Sequence, residues 1–137
     1  MLITRKADFS ASHSCYNPSL SEQQNRDLYG EPADSHGHGH NYVIEVSIEG
    51  SPDPVTGMIV DLKVVKDIIQ AQVIDPMDHR HLNHEVPPFN TVVPTAENLV
   101  REIWRRLEPG LTFPNARLHS IRLYETDDLY VDYEGGR

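Results

Sequence analysis

The sequence predicts an α+β fold: a four-stranded antiparallel sheet with two helices on one face, in the order ββααββ. Three observations carry this. Residues 42–49 alternate strictly, with Tyr42, Ile44, Val46 and Ile48 against Val43, Glu45, Ser47 and Glu49, which is the period of a half-buried strand. Two central stretches, after Asp61 and after Thr95, instead repeat their apolar residues at helical spacing. Extended patterns then recur only at the two ends of the chain, an arrangement of segregated helices and strands rather than βαβ units. With 137 residues the chain is expected to form one domain spanning residues 1–137.

Taken in order, residues 2–13 form the first strand, with Ala7, Phe9, Ala11 and His13 on one face. Residues 14–35 turn polar, with Asn17-Pro18, a helix-compatible piece at 21–25 and Gly30-Glu31-Pro32. Histidines at both ends of this segment mark it as a functional loop or flap. The alternating strand follows, then a turn-rich connection from Gly50 to Gly57 and an extended piece at 58–60. Asp61 is placed to cap a helix over 62–74, with Leu62, Val65, Ile69 and Val73 inward and Pro76 ending it. Residues 75–83 are a polar knot, followed by a proline-rich loop to Pro94. Thr95 caps a second helix, with Leu99, Val100, Ile103, Trp104 and Leu107 inward and Arg101, Glu102, Arg105 and Arg106 outward. Residues 117–125 and 129–133 close the chain as a hairpin around Thr126-Asp127-Asp128.

The formal charge of −9, from 21 acidic and 12 basic residues, argues against a general nucleic-acid or anionic-membrane surface. An anionic substrate then needs a local basic pocket. No stretch is long and apolar enough to span a bilayer, and the N-terminus lacks a signal peptide's apolar core, so a cytoplasmic protein is expected. The single cysteine, Cys15, leaves no internal disulfide framework and no multi-thiolate zinc site.

The densest chemistry is Ser35-His36-Gly37-His38-Gly39-His40. On a strand His38 and His40 project to the same side and can share a zinc ion. His36 has the same parity. At about 3.3 Å per residue, however, it stands about 13 Å from His40, too far for both to reach one ion at about 2.0–2.1 Å. His13 is the natural third ligand, because it ends one apolar column as His38 and His40 begin another. Three neutral imidazoles leave an open fourth position, the catalytic pattern; the alternative is a set of solvated loop histidines. Asp78-His79 reads either as a carboxylate-imidazole pair for acid-base work or as a cap on the next element, with His81 a weaker candidate. Glu125 shares parity with Ile121 and Leu123. It is either a buried anchor for paired N–H donors or half of a salt bridge. Glu97 reads as a first-turn acid of its helix.

Phe9-Ser-Ala-Ser-His13, Asn17-Pro-Ser-Leu-Ser21, His38-Gly-His-Asn-Tyr42, Asp53-Pro-Val-Thr-Gly-Met58, Asp78-His79, Thr95-Ala-Glu-Asn98 and Tyr124-Glu-Thr126 together resemble the 6-pyruvoyltetrahydropterin and 6-carboxytetrahydropterin synthase family. The resemblance implies a tunnelling fold (T-fold) assembled as a homohexamer, a dimer of trimers, with sites between subunits. It implies Zn2+ on His13, His38 and His40, a proton relay of Asp78 and His79, and Glu125 anchoring the pterin, with Thr95 and Glu97 near the pterin pocket. The implied reaction is zinc-dependent triphosphate elimination from 7,8-dihydroneopterin triphosphate with side-chain rearrangement. Carboxytetrahydropterin synthesis for queuosine-type nucleosides, side-chain cleavage to a hydroxymethylpterin and non-catalytic pterin or zinc binding are the alternatives. The family's cysteine before the His-Gly-His pair is absent here, and Cys15 does not match its position; Asp34 or Glu31 is the candidate base in its place.

Overall fold

The computed structural model describes residues 1–33 and 36–137. Its elements are β1 (Leu2–His13), α1 (Glu22–Tyr29), β2 (His38–Gly50), α2 (Leu62–Ile69), α3 (Asp75–Met77), β3 (Arg80–His81), α4 (Leu82–Glu85), α5 (Ala96–Leu107), β4 (Thr112–Phe113), β5 (Ala116–Thr126) and β6 (Leu129–Tyr133). The four long strands β1, β2, β5 and β6 are antiparallel neighbours in that order. The sheet gains two short strands that the alternation does not announce: β3 runs parallel to β1 at its free edge, and β4 pairs with the start of β5.

The strict alternation of β2 becomes a wall: Tyr42, Ile44, Val46 and Ile48 are all buried. Helices α2 and α5 lie over it with Val65, Ile69, Leu99, Ile103 and Leu107 in the same core. Each such side chain contributes about 1.5–3 kcal/mol by leaving water. β5 does not alternate throughout. Its register against β2 shifts between Ser47 and Ile48, so His119 bulges; Ala116 and Leu118 face inward before it, Ile121 and Leu123 after it. Parity counted from Ile121 to Glu125 survives, because the bulge lies upstream.

Both predicted caps are present: Asp61 accepts from the Lys63 N–H at 2.9 Å and Thr95 from the Asn98 N–H at 3.3 Å. Three local expectations are corrected. Leu62 is 37% exposed, because the first turn of α2 stands clear of the sheet. Pro76 does not end the helix: α2 widens into a π segment, Gln70–Ile74, and helical structure resumes over α3 with Pro76 in its first turn, where no N–H is required. The flap's helix is also longer than expected, α1 being closed at its N-terminus by a capping box between Ser21 and Gln24.

A fourth expectation is corrected at Glu102, which is only 7% exposed although helical periodicity places it outward. Arg105 grips it through both carboxylate oxygens at 2.8 and 2.7 Å, and Arg106 donates at 2.6 Å. Burial alone pushes this carboxyl up; the two guanidinium groups outweigh burial and hold it below the ordinary glutamate value. A depressed folded-state pKa means that stabilisation is complete above the unfolded value and is lost as pH falls through the folded one. Glu102→Gln is therefore expected to destabilise by about 2 kcal/mol at neutral pH, because Arg106 stays partly buried without its anion. The difference from wild type is expected to shrink on acidification, as read by denaturant titration at several pH values.

Candidate active site

The register of β1 on β2 sets His13 opposite His38 and Ala11 opposite His40. Directly opposed side chains share a face, and His40 follows His38 by one strand period, so the three imidazoles meet at one end of the core face. The Nε2 atoms of His13 and His38 are 3.2 Å apart. Ring centroids in the three pairs are 4.7, 5.0 and 4.8 Å apart. Two nitrogens bound tetrahedrally at 2.0–2.1 Å to one ion stand about 3.3 Å apart, so this spacing is that of shared ligands.

His13 is 1% exposed, and its Nδ1 lies 2.7 Å from the Pro94 carbonyl. That carbonyl accepts from Nδ1–H, which leaves the Nε2 lone pair for the cluster. Burial is the main force pulling His13 down to about 4, with His38 and His40 adding to it, and burial also lowers His40. At neutral pH both rings are uncharged, the form that binds metal.

Glu125 completes the group. Val43 pairs with Tyr124, so the next position of that ladder sets Glu125 across from Tyr42, while the β5–β6 pairing skips Glu125 in a bulge. Its Oε1 lies 3.1 Å from His40 Nε2 and 4.0 Å from His13 Nε2. Ligand atoms of His13, His38, His40 and Glu125 all fall within 4.8 Å of one another. His40 Nε2 nonetheless has no aligned hydrogen-bond partner. A buried orphan nitrogen among three other electron-pair donors fits a cation.

The other expected site residues fall into two places. Thr95 caps α5 and is preceded by the Pro94 carbonyl that holds His13, while Glu97 lies in the first turn of α5. Burial, followed by the charges of Glu125 and Glu97, pushes the Cys15 thiol up. Cys15 is thereby kept protonated, a poor nucleophile. Glu31 sits in a short 3-10 turn and lines an open cavity of about 790 Å³ together with Tyr16, Arg26, Gly37 and His38. The size suits a small-molecule ligand. Asp34 lies outside the described residues. His36 is not part of the four-residue group, and His81 stacks on His84 at 4.2 Å.

Asp78 and His79 do not join the histidine cluster. Asp78 Oδ1 accepts the Ser10 N–H at 2.9 Å, and the His79 N–H donates to the Ser10 carbonyl at 2.6 Å. The pair thus satisfies the edge of β1 three residues before His13. The Ser10 N–H, then the His79 ring, holds the Asp78 carboxyl low, and Oδ2 is 3.0 Å from His79 Nδ1. His79 adopts a positive φ of 59° and is 82% exposed, so its imidazole is presented to solvent. Sequence reasoning missed the Pro94 carbonyl, which carries no side-chain signal, and Tyr42, whose parity with His40 was legible.

Gly37 delivers His38 to this site. Its φ is +74°, and a Cβ there would meet the His13 carbonyl oxygen at 2.7 Å and His81 Nε2 at 2.8 Å. At Gly39 the nearest atom to a Cβ is 3.6 Å away, an ordinary contact. Gly37→Ala is therefore expected to weaken metal binding roughly 10- to 100-fold, from about 1–3 kcal/mol of strain. Gly39→Ala should leave it unchanged; competition with a chromogenic chelator reads both.

Residues 2–136 match the family model described as 6-pyruvoyl tetrahydropterin synthase. The 6-pyruvoyl tetrahydrobiopterin synthase of Pongo abelii is 40% identical over 133 residues, covering 97% of this chain and 90% of its own. The solved structure of the Caenorhabditis elegans 6-pyruvoyl tetrahydropterin synthase superposes with a TM-score of 0.93 at 34% identity, over 99% of this chain and 96% of that one. More distant is a 6-carboxy-5,6,7,8-tetrahydropterin synthase of Rickettsia conorii, 26% identical over 94% of this chain and 96% of its own.

Proposed function

The chain belongs to the 6-pyruvoyl tetrahydropterin synthase family, and from that premise we propose that it is a zinc-dependent lyase acting on 7,8-dihydroneopterin triphosphate. The reaction is triphosphate elimination with side-chain rearrangement toward tetrahydrobiopterin. The observation that carries the reading is the convergence of His13 and His38, 3.2 Å apart at Nε2, with His40 and Glu125 beside them. Three imidazole nitrogens suit zinc above magnesium or calcium. Zinc, when bound, supplies Lewis acidity to side-chain hydroxyls of the substrate.

The chain's own residues do the rest. The Glu125 carboxylate accepts the paired N–H donors of the amino-pyrimidine edge, a charge-assisted contact that fixes the ring. Thr95 and Glu97 border that ring. Asp78 orients His79 and supports its protonated form, so that the pair can pass a proton. Because His79 is 82% exposed and lies outside its own chain's group of ligand atoms, the relay serves a site completed by another copy, which is the support for the homohexamer, a dimer of trimers, with sites between subunits. Glu31, in the same cavity as His38, takes the base role that a cysteine fills in the family. No helix of the described residues is long and apolar enough to cross a membrane, in keeping with a cytoplasmic enzyme.

Glu31 also favours a second reading, side-chain cleavage to a hydroxymethylpterin, because a carboxylate base is the feature of that branch. Incubating zinc-loaded protein with 7,8-dihydroneopterin triphosphate and identifying products by mass spectrometry decides among them. Released triphosphate with a pyruvoyl pterin is expected. A carboxy or hydroxymethyl pterin selects a rival, and unchanged substrate rejects the lyase.

A further inference from the structure

Tyr42 is 0% exposed, yet its hydroxyl has no hydrogen-bond partner among the described residues. A phenol normally finds a partner when buried, and leaving one without is costly. Its ring is fixed from three sides, with centroids 5.1 Å from Phe9, 5.5 Å from His40 and 6.3 Å from His13. Across the sheet, the position facing it on β5 is Glu125, one step beyond the Val43–Tyr124 pair. Opposed residues on one face have Cβ atoms about 4.5–5.5 Å apart, within reach of these two side chains. Burial, followed by the charge of Glu125, pushes the Tyr42 hydroxyl up.

Glu125 here leans instead on His40, whose Nε2 at 3.1 Å is itself without an aligned partner. One carboxylate therefore lies beside one orphan atom, His40 Nε2, and faces the residue that carries another, the Tyr42 hydroxyl. A single rearrangement satisfies all three. Once the His40 lone pair is given to a metal, Nε2 has no proton to offer Glu125, and the residue that faces Glu125 across the ladder is Tyr42, whose hydroxyl is a buried donor without a partner.

We infer that Tyr42 is a positioning residue whose hydroxyl donates to Glu125 in the metal-loaded protein and holds that carboxylate toward the pterin ring. The inference rests on the reading of Glu125 as the pterin anchor. Tyr42 touches no reacting atom; it selects one orientation of the group that binds the ring. This gives the fully buried tyrosine of the His-Gly-His-Asn-Tyr run a role separate from the metal, and it predicts an effect on affinity with little on turnover.

The test measures the dissociation constant of 7,8-dihydroneopterin, which carries the ring and side-chain hydroxyls but no leaving group, on zinc-loaded wild type, Tyr42→Phe, Glu125→Gln and the double variant. Tyr42→Phe is expected to weaken binding roughly 10-fold. The double variant should bind no worse than Glu125→Gln within about twofold, because a residue that acts through Glu125 has nothing to position once that charge is gone. Zinc stoichiometry should be unchanged, and the melting temperature of metal-free Tyr42→Phe should equal or exceed that of wild type, because the variant removes an orphan group. Wild-type affinity in Tyr42→Phe, or strictly additive losses in the double variant, would overturn the inference while leaving the pterin reading intact. Failure of wild type itself to bind dihydroneopterin would overturn the pterin reading, and this inference with it.

Discussion

Replacing His13 with alanine is expected to cost the protein its zinc. His13 is buried at 1% exposure, directly opposite His38 in the β1–β2 register, with Nδ1 held by the Pro94 carbonyl so that Nε2 faces the cluster. No other described imidazole is in place to substitute: His36 is outside the group and His81 is stacked on His84. Apparent zinc-binding energies of about 10–16 kcal/mol spread over four ligand positions give about 2.5–4 kcal/mol for each. Affinity should therefore fall roughly 10²- to 10³-fold, and turnover should fall with it. Metal analysis after dialysis against a competing chelator reads the first quantity and steady-state assay the second. His36→Ala, by contrast, should retain full zinc content. Removing His13 also leaves the Pro94 carbonyl without its donor, so a melting curve should accompany the assay; the cavity alone costs about 2–4 kcal/mol of stability.

Glu125→Gln separates two roles that geometry alone allows. The carboxylate stands 3.1 Å from His40 Nε2, close enough to be a fourth ligand, and it also sits at the bulged end of β5 where a ring can reach it. As the pterin anchor it accepts two N–H bonds through two anionic oxygens, of which glutamine keeps one neutral acceptor. The loss is about 1.5–3 kcal/mol, and KM is expected to rise roughly 10- to 100-fold with zinc content unchanged. Loss of zinc at unaltered substrate affinity would instead make Glu125 a metal ligand. Because Glu125 is 18% exposed and borders the histidines, the glutamine variant preserves its volume and disturbs packing little.

The parts of this molecule that were legible in its sequence are those in which side chains repeat with the period of the backbone. Tyr42, Ile44, Val46 and Ile48 could be read as one face because a strand offers no other arrangement for them, and that column carried His38 and His40 with it. His13 could be placed beside them because an antiparallel neighbour ending in histidine has its last side chain on the same face. The bulge at His119 was not legible, since an extra residue in a ladder leaves no compositional mark. Nor was the buried Glu102, whose Arg105 and Arg106 partners make burial affordable and are themselves the cue, at i+3 and i+4. The π segment that lets helical structure pass Pro76 depends on tertiary packing, which propensity does not encode. Asp78 and His79 were legible as a pair. Their separation from the histidines was not, because it follows from β3 joining the free edge of β1 at Ala11 and Ser12. The resemblance to pterin synthases supplied what periodicity lacks, the substrate class and the expectation of shared sites.

The proposed zinc site takes three histidine nitrogens from strands β1 and β2 and leaves a position for oxygen. Zinc K-edge X-ray absorption on the metal-loaded protein tests it most directly. The expected first shell is three nitrogens and one or two oxygens at about 2.0–2.1 Å, with the oxygen component altered when 7,8-dihydroneopterin is added. A sulfur scatterer at about 2.3 Å, which only Cys15 or a methionine could provide, or a shell with fewer than three imidazoles, would contradict it.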